Sequence, residues 1–309
     1  ALFFGKIKIM STEVPELSFK DIEKGDSFSI SILKEALTAH GFFSITDHGL
    51  SQDLIDKCYS CSKNFFDLDF DTKNKYSSVG SKGARGYTPK GIETAVGEKI
   101  ADQKEFWHHG PIVDESFDKK IPENLSINEV PDFNDNFDEL YTELHKIGSR
   151  VLSVISLSLG LDRDFFVPWI EKGNSLLRSI HYPPVDGNTN PHRARAHTDI
   201  NLITLLIGAE EGGLEVLNKD GSWIKVEPSS NAIVCNIGDM MQLVTDKNLV
   251  STTHRVIQDL EAKSKPRYSI PFFLHPAPSV LLKSVFNEDD KGILADDFLD
   301  ERLKAIKLY

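Results

Sequence analysis

The amino-acid sequence predicts a mainly β protein with flanking helices. Three observations carry that expectation. After about residue 175, short apolar runs alternate with turn residues: "LLRSIHY", "NLITLLI", "GLEVLN", "SWIKVE", "NAIVCNIG", "MMQLVT", "THRVIQ" and "RYSIPFFL". Short strands at such even spacing indicate an antiparallel sandwich or barrel. Before them lie stretches whose apolar residues recur at three and four, the spacing of one helix face. After them, "ADDFLDERLKAIKLY" is again amphipathic and helical.

In chain order, "ALFFGKIKIM" has an apolar start but no small-residue cleavage site, so it does not read as a signal peptide. Met10 reads as the natural start, and residues 1–9 stay outside the fold argument. "ISILKEALTAHG" has helical spacing and stops at Gly41; "FFSITDHG" reads as a strand ending in a turn. "SQDLIDKCYSCSKNFF" reads as a helix capped by Ser51. Residues 80–97 are rich in Gly, Thr, Lys and Pro and read as loop. "FNDNFDELYTELHKIGSRVLSVISLSLG" is the strongest helix, with Gly160 at its end. Asp220-Gly221 is a hairpin turn. No internal repeat or low-complexity segment interrupts the pattern, and one compact unit is expected.

A chain of 309 residues is ample for a sizeable core. Its net charge of −12 argues against nucleic-acid or anionic-membrane partners, which require a basic surface. No apolar run is long enough to span a bilayer. Three cysteines, Cys58, Cys61 and Cys235, make no disulfide scaffold and point to a reducing compartment, hence the cytoplasm. Cys58 and Cys61 form C-x-x-C, but no second pair follows and no βαβ pattern surrounds it, so two small residues one helical turn apart are expected.

"HTDINLITLLI" carries the chemistry. In an acidic chain with ten histidines, about one His-x-Asp arises by chance. On a strand, however, His197 and Asp199 would share a face and reach one ion. His254, in a later strand-like run, supplies a third ligand if the sandwich brings the two strands together. Two histidines and a carboxylate leave coordination positions open and suit Fe(II) or Mn(II) better than a closed thiolate zinc site. Arg267 and Ser269 share one strand face in "RYS" and offer a planar fork and a hydroxyl to a carboxylate. A dicarboxylate chelating the metal and held by Arg267 and Ser269 fits both. Tyr182, in "HYPP", is placed to donate a further hydrogen bond to that acid.

With these residues in view, the sequence resembles the Fe(II)/2-oxoglutarate-dependent dioxygenases of the isopenicillin N synthase-like branch over nearly its whole length. The resemblance rests on "GFFSITDHGL", "FFDLDFDTKNKY", "RGYTPKGIE", "DQKEFWHHG", "HYPP", "HTD", "GGLEVL", "W..V.P", "NIGD", "THRV" and "RYSIPFF", which follow in the family's order. It implies a double-stranded β-helix, or jelly roll, with an N-terminal α/β region packed on it. The implied organisation is an N-terminal dioxygenase region over 10–120, helical support over 121–175, the jelly-roll core over 176–280 and a C-terminal helical segment over 281–309.

The resemblance also implies roles. His197, Asp199 and His254 are the iron ligands, and Arg267, Ser269 and Tyr182 bind 2-oxoglutarate. Phe273 matches a position that often lines the substrate pocket. The implied reaction consumes O2, turns 2-oxoglutarate into succinate and CO2, and oxidises a C–H bond of a small organic substrate. Hydroxylation is usual; desaturation and ring closure are open to the same centre. Arg178 either faces the pocket to grip an anionic substrate or pairs with an acid of the β core. His108 and His109 line the entrance or serve the structure, and His181 packs or meets solvent at the pocket edge. Arg85 and Tyr87 match a loop that can cover the site, and Asp239 reads as a turn residue. Two alternatives stay open at this point. One is an Fe(II) oxidase that does not use 2-oxoglutarate, because isopenicillin N synthase itself and the ascorbate-using ethylene-forming plant oxidase carry the same Arg-x-Ser. The other is a binding protein on the same fold without turnover. Substrate identity and oligomeric state are not legible.

Overall fold

The computed structural model describes residues 13–77, 83–93, 103–184, 192–208, 212–257 and 265–305. Met10 and its neighbours lie outside them. The N-terminal part runs β1 (Glu16–Ser18), α1 (Phe19–Glu23), α2 (Ser27–Ala39), β2 (Phe42–Thr46), α3 (Gln52–Phe66), α4 (Phe70–Asn74), β3 (Gly86–Thr88) and β4 (Glu105–His109). The helices α5 (Phe133–Ser158) and α6 (Val167–Ile170) follow. Then come β5 (Leu176–Tyr182), β6 (His192–His197), β7 (Ile203–Ile207), β8 (Leu214–Leu217), β9 (Trp223–Lys225), β10 (Ile233–Ile237), α7 (Asp239–Val244), β11 (His254–Ile257) and β12 (Arg267–Leu274). A small ribbon, β13 (Leu281–Leu282) with β14 (Ile293–Leu294), leads into α8 (Ala295–Ala305).

The larger sheet has eight strands in the order β1-β2-β10-β7-β12-β5-β4-β3; the smaller has four, β6-β11-β8-β9. Side-chain alternation divides the core. Phe43, Ile45, Leu177, Leu205, Cys235, Ile270, Phe272 and Leu274 face outward from the larger sheet and pack with α2, α3 and the long α5. Phe42, Phe106, Ile180, Tyr182 and Val234 face inward and meet Ala194, Leu214, Val216, Val226 and Val256 of the smaller sheet. The two sheets therefore enclose a second, inner apolar layer, as in a jelly roll. Each fully buried Phe or Leu stabilises the fold by roughly 1.5–3 kcal/mol. The N-terminal region both packs helices on the core and lends β1 to β4 to its larger sheet.

Several local readings need correction. "MMQLVT" folds as α7, not as a strand, because Gly238 and Asp239 start a helix directly after β10. The span expected as loop contains β3. Ser51 occupies the N-cap of α3, but its side chain makes no cap bond; Asp26 caps α2 through Ser29 N–H at 2.8 Å. The Asp220-Gly221 turn joins β8 to β9, with Gly221 at φ 86°. Gly41, at φ +68°, ends α2 where a Cβ would lie 1.9 Å from Val250 O, so only glycine fits. Cys58, Cys61 and Cys235 are free and buried. Burial pushes all three thiols up, and Cys58 donates to Asn136 O, which suits packing rather than redox work.

Candidate metal centre

His197 is the last residue of β6 and His254 the first of β11, and the two are paired across these antiparallel strands. Between them and the next paired residues, Ala194 and Val256, β6 holds one residue more than β11. This bulge turns His197 to the inner side that Ala194 already faces. Asp199 corrects the sequence argument: it does not share a strand with His197. The strand stops at His197, and Asp199 sits in the following turn, whose bend brings its carboxylate back. Gly238 permits that turn, since a Cβ there would meet Asn201 O at 2.1 Å.

The three side chains converge, with a ligand atom from each lying within 4.8 Å of the others. Asp199 Oδ1 is 3.8 Å from His197 Nε2 and 3.6 Å from His254 Nε2. The remaining atoms are engaged elsewhere. Asp199 Oδ2 accepts from Thr204 Oγ1 at 2.6 Å and Asn236 Nδ2 at 2.8 Å. His197 Nδ1 lies 2.7 Å from Arg195 O, and His254 Nδ1 lies 3.2 Å from Thr252 O. A carbonyl only accepts, so both Nδ1 atoms carry the proton and both Nε2 lone pairs face the gap.

The electrostatics agree. Burial, then the neighbouring His254, lowers His197 to about 4. Its side chain is 38% exposed, so solvent tempers the shift without reversing it. Burial raises Asp199, but His254, His197, Asn236 and Thr204 outweigh it and hold the carboxylate ionised. A carboxylate and two imidazole nitrogens suit a divalent ion of intermediate hardness.

The inner face of β12 carries Arg267, Ser269, Pro271 and Phe273, because Ile270, Phe272 and Leu274 alternate outward. Arg267 and Ser269 are both buried. Arg267 pairs with Tyr182 of β5 and holds its guanidinium 5.5 Å from that ring. Phe273 is paired with Thr204, the residue that holds Asp199. Arg178, Ile180 and Tyr182 share the inner face of β5, and Phe106 and His108 that of β4.

Comparison with known proteins fits this arrangement. A model of the 2OG-Fe(II) oxygenase superfamily matches residues 173–276. A second, described as the N-terminal region of the non-haem dioxygenase in morphine synthesis, matches residues 14–132. A 2-oxoglutarate-dependent dioxygenase of Didymella fabae is 33% identical over 78% of this chain and 77% of its own. The chain belongs to the Fe(II)/2-oxoglutarate-dependent oxygenase family. A solved 2OG-Fe(II) oxygenase family protein of Caulobacter crescentus is 40% identical, with a TM-score of 0.85 over 95% of this chain and 99% of the other. A full-length Neurospora crassa protein solved in complex with alpha-KG is 25% identical, with a TM-score of 0.83 over 94% and 96% of the two chains. Membership makes this oxygenase a user of Fe(II), 2-oxoglutarate and O2, and supports neither the cosubstrate-free oxidase nor the inactive binding protein.

Other expectations about the site resolve differently. Arg85 and Tyr87 do not cover it. Arg85 is buried against Gly110 and donates to Asn174 Oδ1 at 2.9 Å. Tyr87 donates to Glu105 on the outer side of the sheet. Glu93, from the same stretch, does reach the inner face and was missed, because a lone acid in a Gly-rich segment carries no signal. Arg178 faces the inner side and also pairs with an acid, but that acid is Glu93 of the loop rather than one of the β core. His108 binds Arg178, whereas His109 points outward to Asp138 of α5 at 2.7 Å. His181 stacks on Tyr268 and bonds Glu105. Asp239 is more than a turn residue: its carboxylate accepts from Thr198, Ser251 and Arg302. Asn236 and Asp239 act across elements distant in the chain, and Thr204, only five residues past Asp199, reaches it through a turn that no sequence pattern marks.

Proposed function

We propose that His197, Asp199 and His254 hold the Fe(II) of this oxygenase, and that Arg267 and Ser269 take the distal carboxylate of 2-oxoglutarate with Tyr182 beside them. The single observation behind this is the set of fixed tautomers around one gap: two Nε2 lone pairs and one free carboxylate oxygen, with every other polar atom of the three side chains already engaged. The metal, when bound, supplies the redox chemistry that turns O2 and 2-oxoglutarate into succinate, CO2 and an oxidised substrate. The protein's own residues do the rest. Arg267 offers a planar fork to one carboxylate end and so sets the orientation of the acid. Ser269 adds a hydroxyl donor on the same face, and Tyr182 walls that end. Phe42, edge-on to His254 at 5.3 Å, keeps water from that imidazole. A small organic substrate would lie against the apolar residues between the sheets, which hold it in one orientation.

In this reading residues 176–280 form the catalytic core, and 10–120 and 121–175 support it. The buried free thiols, and the lack among the described residues of any helix long and apolar enough to cross a membrane, support a cytoplasmic assignment.

Replacing ligands and cosubstrate residues separately tests the assignment. His197→Ala and Asp199→Ala should abolish Fe(II) binding measured by metal analysis after anaerobic loading. Arg267→Ala should retain iron and raise the KM for 2-oxoglutarate by about two orders of magnitude, the weight of a bidentate charged contact of about 3 kcal/mol. An unchanged cosubstrate KM in Arg267→Ala would show that residue to be misassigned.

A further inference from the structure

The inner face carries a second polar cluster beside the metal centre. Arg178 packs against two rings, its guanidinium 4.4 Å from the centre of Phe106 and 5.3 Å from that of Phe273. Its Nε donates to His108 Nε2 at 2.6 Å. Its Nη1 donates to the two oxygens of Glu93 at 3.2 and 3.4 Å. His108 Nδ1 lies 2.6 Å from Gly83 O, so the proton sits on Nδ1 and the Nε2 lone pair faces Arg178. Burial, then the charge of Arg178, keeps His108 well below the ordinary histidine range, so it remains neutral and accepting. Two contacts and two rings therefore fix one orientation of the guanidinium.

The cluster is tied to the metal centre by packing: Arg178 covers Phe273, Phe273 is paired with Thr204, and Thr204 holds Asp199.

The fork is only half used. Nε and Nη1 are taken, while among the described residues no acceptor meets Nη2, on a side chain 13% exposed. Glu93 is shared between Arg178, at 3.2 Å, and Lys104, at 2.8 Å, so one carboxylate faces two cations and the cluster keeps a net positive charge. A guanidinium packed against two rings is poorly hydrated and favours an anion over a neutral carbonyl.

We propose that Arg178 anchors the substrate, and that the substrates are small carboxylic acids whose carboxylate accepts from Nη2 while the apolar body lies along Phe273 toward the metal centre. The proposal rests on the metal and cosubstrate reading above. It makes Arg178 a specificity residue distinct from Arg267, which serves the cosubstrate.

The test uses the intact enzyme, anaerobic, with Fe(II) and saturating 2-oxoglutarate. Benzoate, phenylacetate and hexanoate are each titrated against the matching primary amide, by calorimetry and by the change they cause in the visible iron–cosubstrate band. At least one acid should bind about tenfold or more tightly than its amide, as a charge-assisted bond requires. Arg178→Gln should erase that preference while keeping the band, and Arg178→Lys should restore part of it. A band with no acid preferred over its amide, or a preference that survives Arg178→Gln, overturns the proposal and leaves the metal reading standing. No band in the unaltered enzyme overturns the metal reading and the proposal together.

Discussion

Asp199 shows what a buried carboxylate needs in order to keep one oxygen turned toward the proposed metal. Its carboxylate is buried, which alone would favour the neutral form. Thr204 and Asn236 hold Oδ2 at 2.6 and 2.8 Å and leave Oδ1 turned to the histidines. Partners of this kind typically contribute about 10- to 100-fold in metal affinity. Thr204→Val and Asn236→Ala should therefore each weaken Fe(II) or Mn(II) binding by that factor in an anaerobic titration, with the melting temperature little changed. Affinities equal to the unaltered protein would show that the two contacts are incidental. The three residues that converge, His197, Asp199 and His254, were legible from residue type and order. The reason for their geometry was not. Same-face alternation along a strand does not bring His197 and Asp199 together, because Asp199 lies beyond the strand's end and reaches the cluster through the turn.

At the scale of elements, the metal turn is tied to helices that sequence reasoning left apart from it. Asp239, at the start of α7, accepts from Thr198 at 3.1 Å, between the first two ligands, and from Ser251 at 2.7 Å, just before the third. Arg302 of α8 reaches the same carboxylate at 2.5 Å, and Asp239 N–H donates to Asp199 O at 2.7 Å. Asp239→Ala should lower metal affinity and loosen both ligand segments, read as faster hydrogen exchange at 198–202 and 251–254. Arg302→Ala should do so more weakly, since 40% of that side chain is exposed and solvent screens the pair. Equal exchange in the Asp239 variant and the parent would contradict the link. Helices α2, α3, α5 and α8 were legible because their apolar spacing runs for several turns. The six-residue α7 was not, because "MMQLVT" is too short for periodicity to separate helix from strand.

Across the whole molecule, a buried network joins the N-terminal region to the core sheet. Glu105 of β4 accepts from Lys73 at 2.9 Å, Tyr87 at 2.5 Å and His181 at 2.8 Å, drawing in α4, β3 and β5. Burial raises Glu105, but His181, Tyr87 and Lys73 together lower it to about 2. A carboxylate lowered on folding contributes stability that is present above its unfolded value, about 4.3, and is lost as pH falls toward 2. Glu105→Gln should thus be clearly less stable than the parent at pH 7, with the gap narrowing near pH 3. A gap of constant size in denaturant titrations at the two pH values would contradict this. The jelly roll was legible as a texture of short strands, and the order of motifs supplied the family. The order of strands, and the merging of β1 to β4 into the larger sheet, depend on pairings distant in sequence that no local pattern encodes. The central claim is that one centre, His197, Asp199 and His254, takes Fe(II) and, with Arg267 and Ser269, 2-oxoglutarate. Anaerobic titration of the apoprotein with Fe(II) and then 2-oxoglutarate tests it most directly, through the weak visible charge-transfer band. The account predicts a band only when both are present, and none in Asp199→Ala. Iron binding without a band would contradict the cosubstrate site, and a band that persists in Asp199→Ala would contradict the metal centre itself.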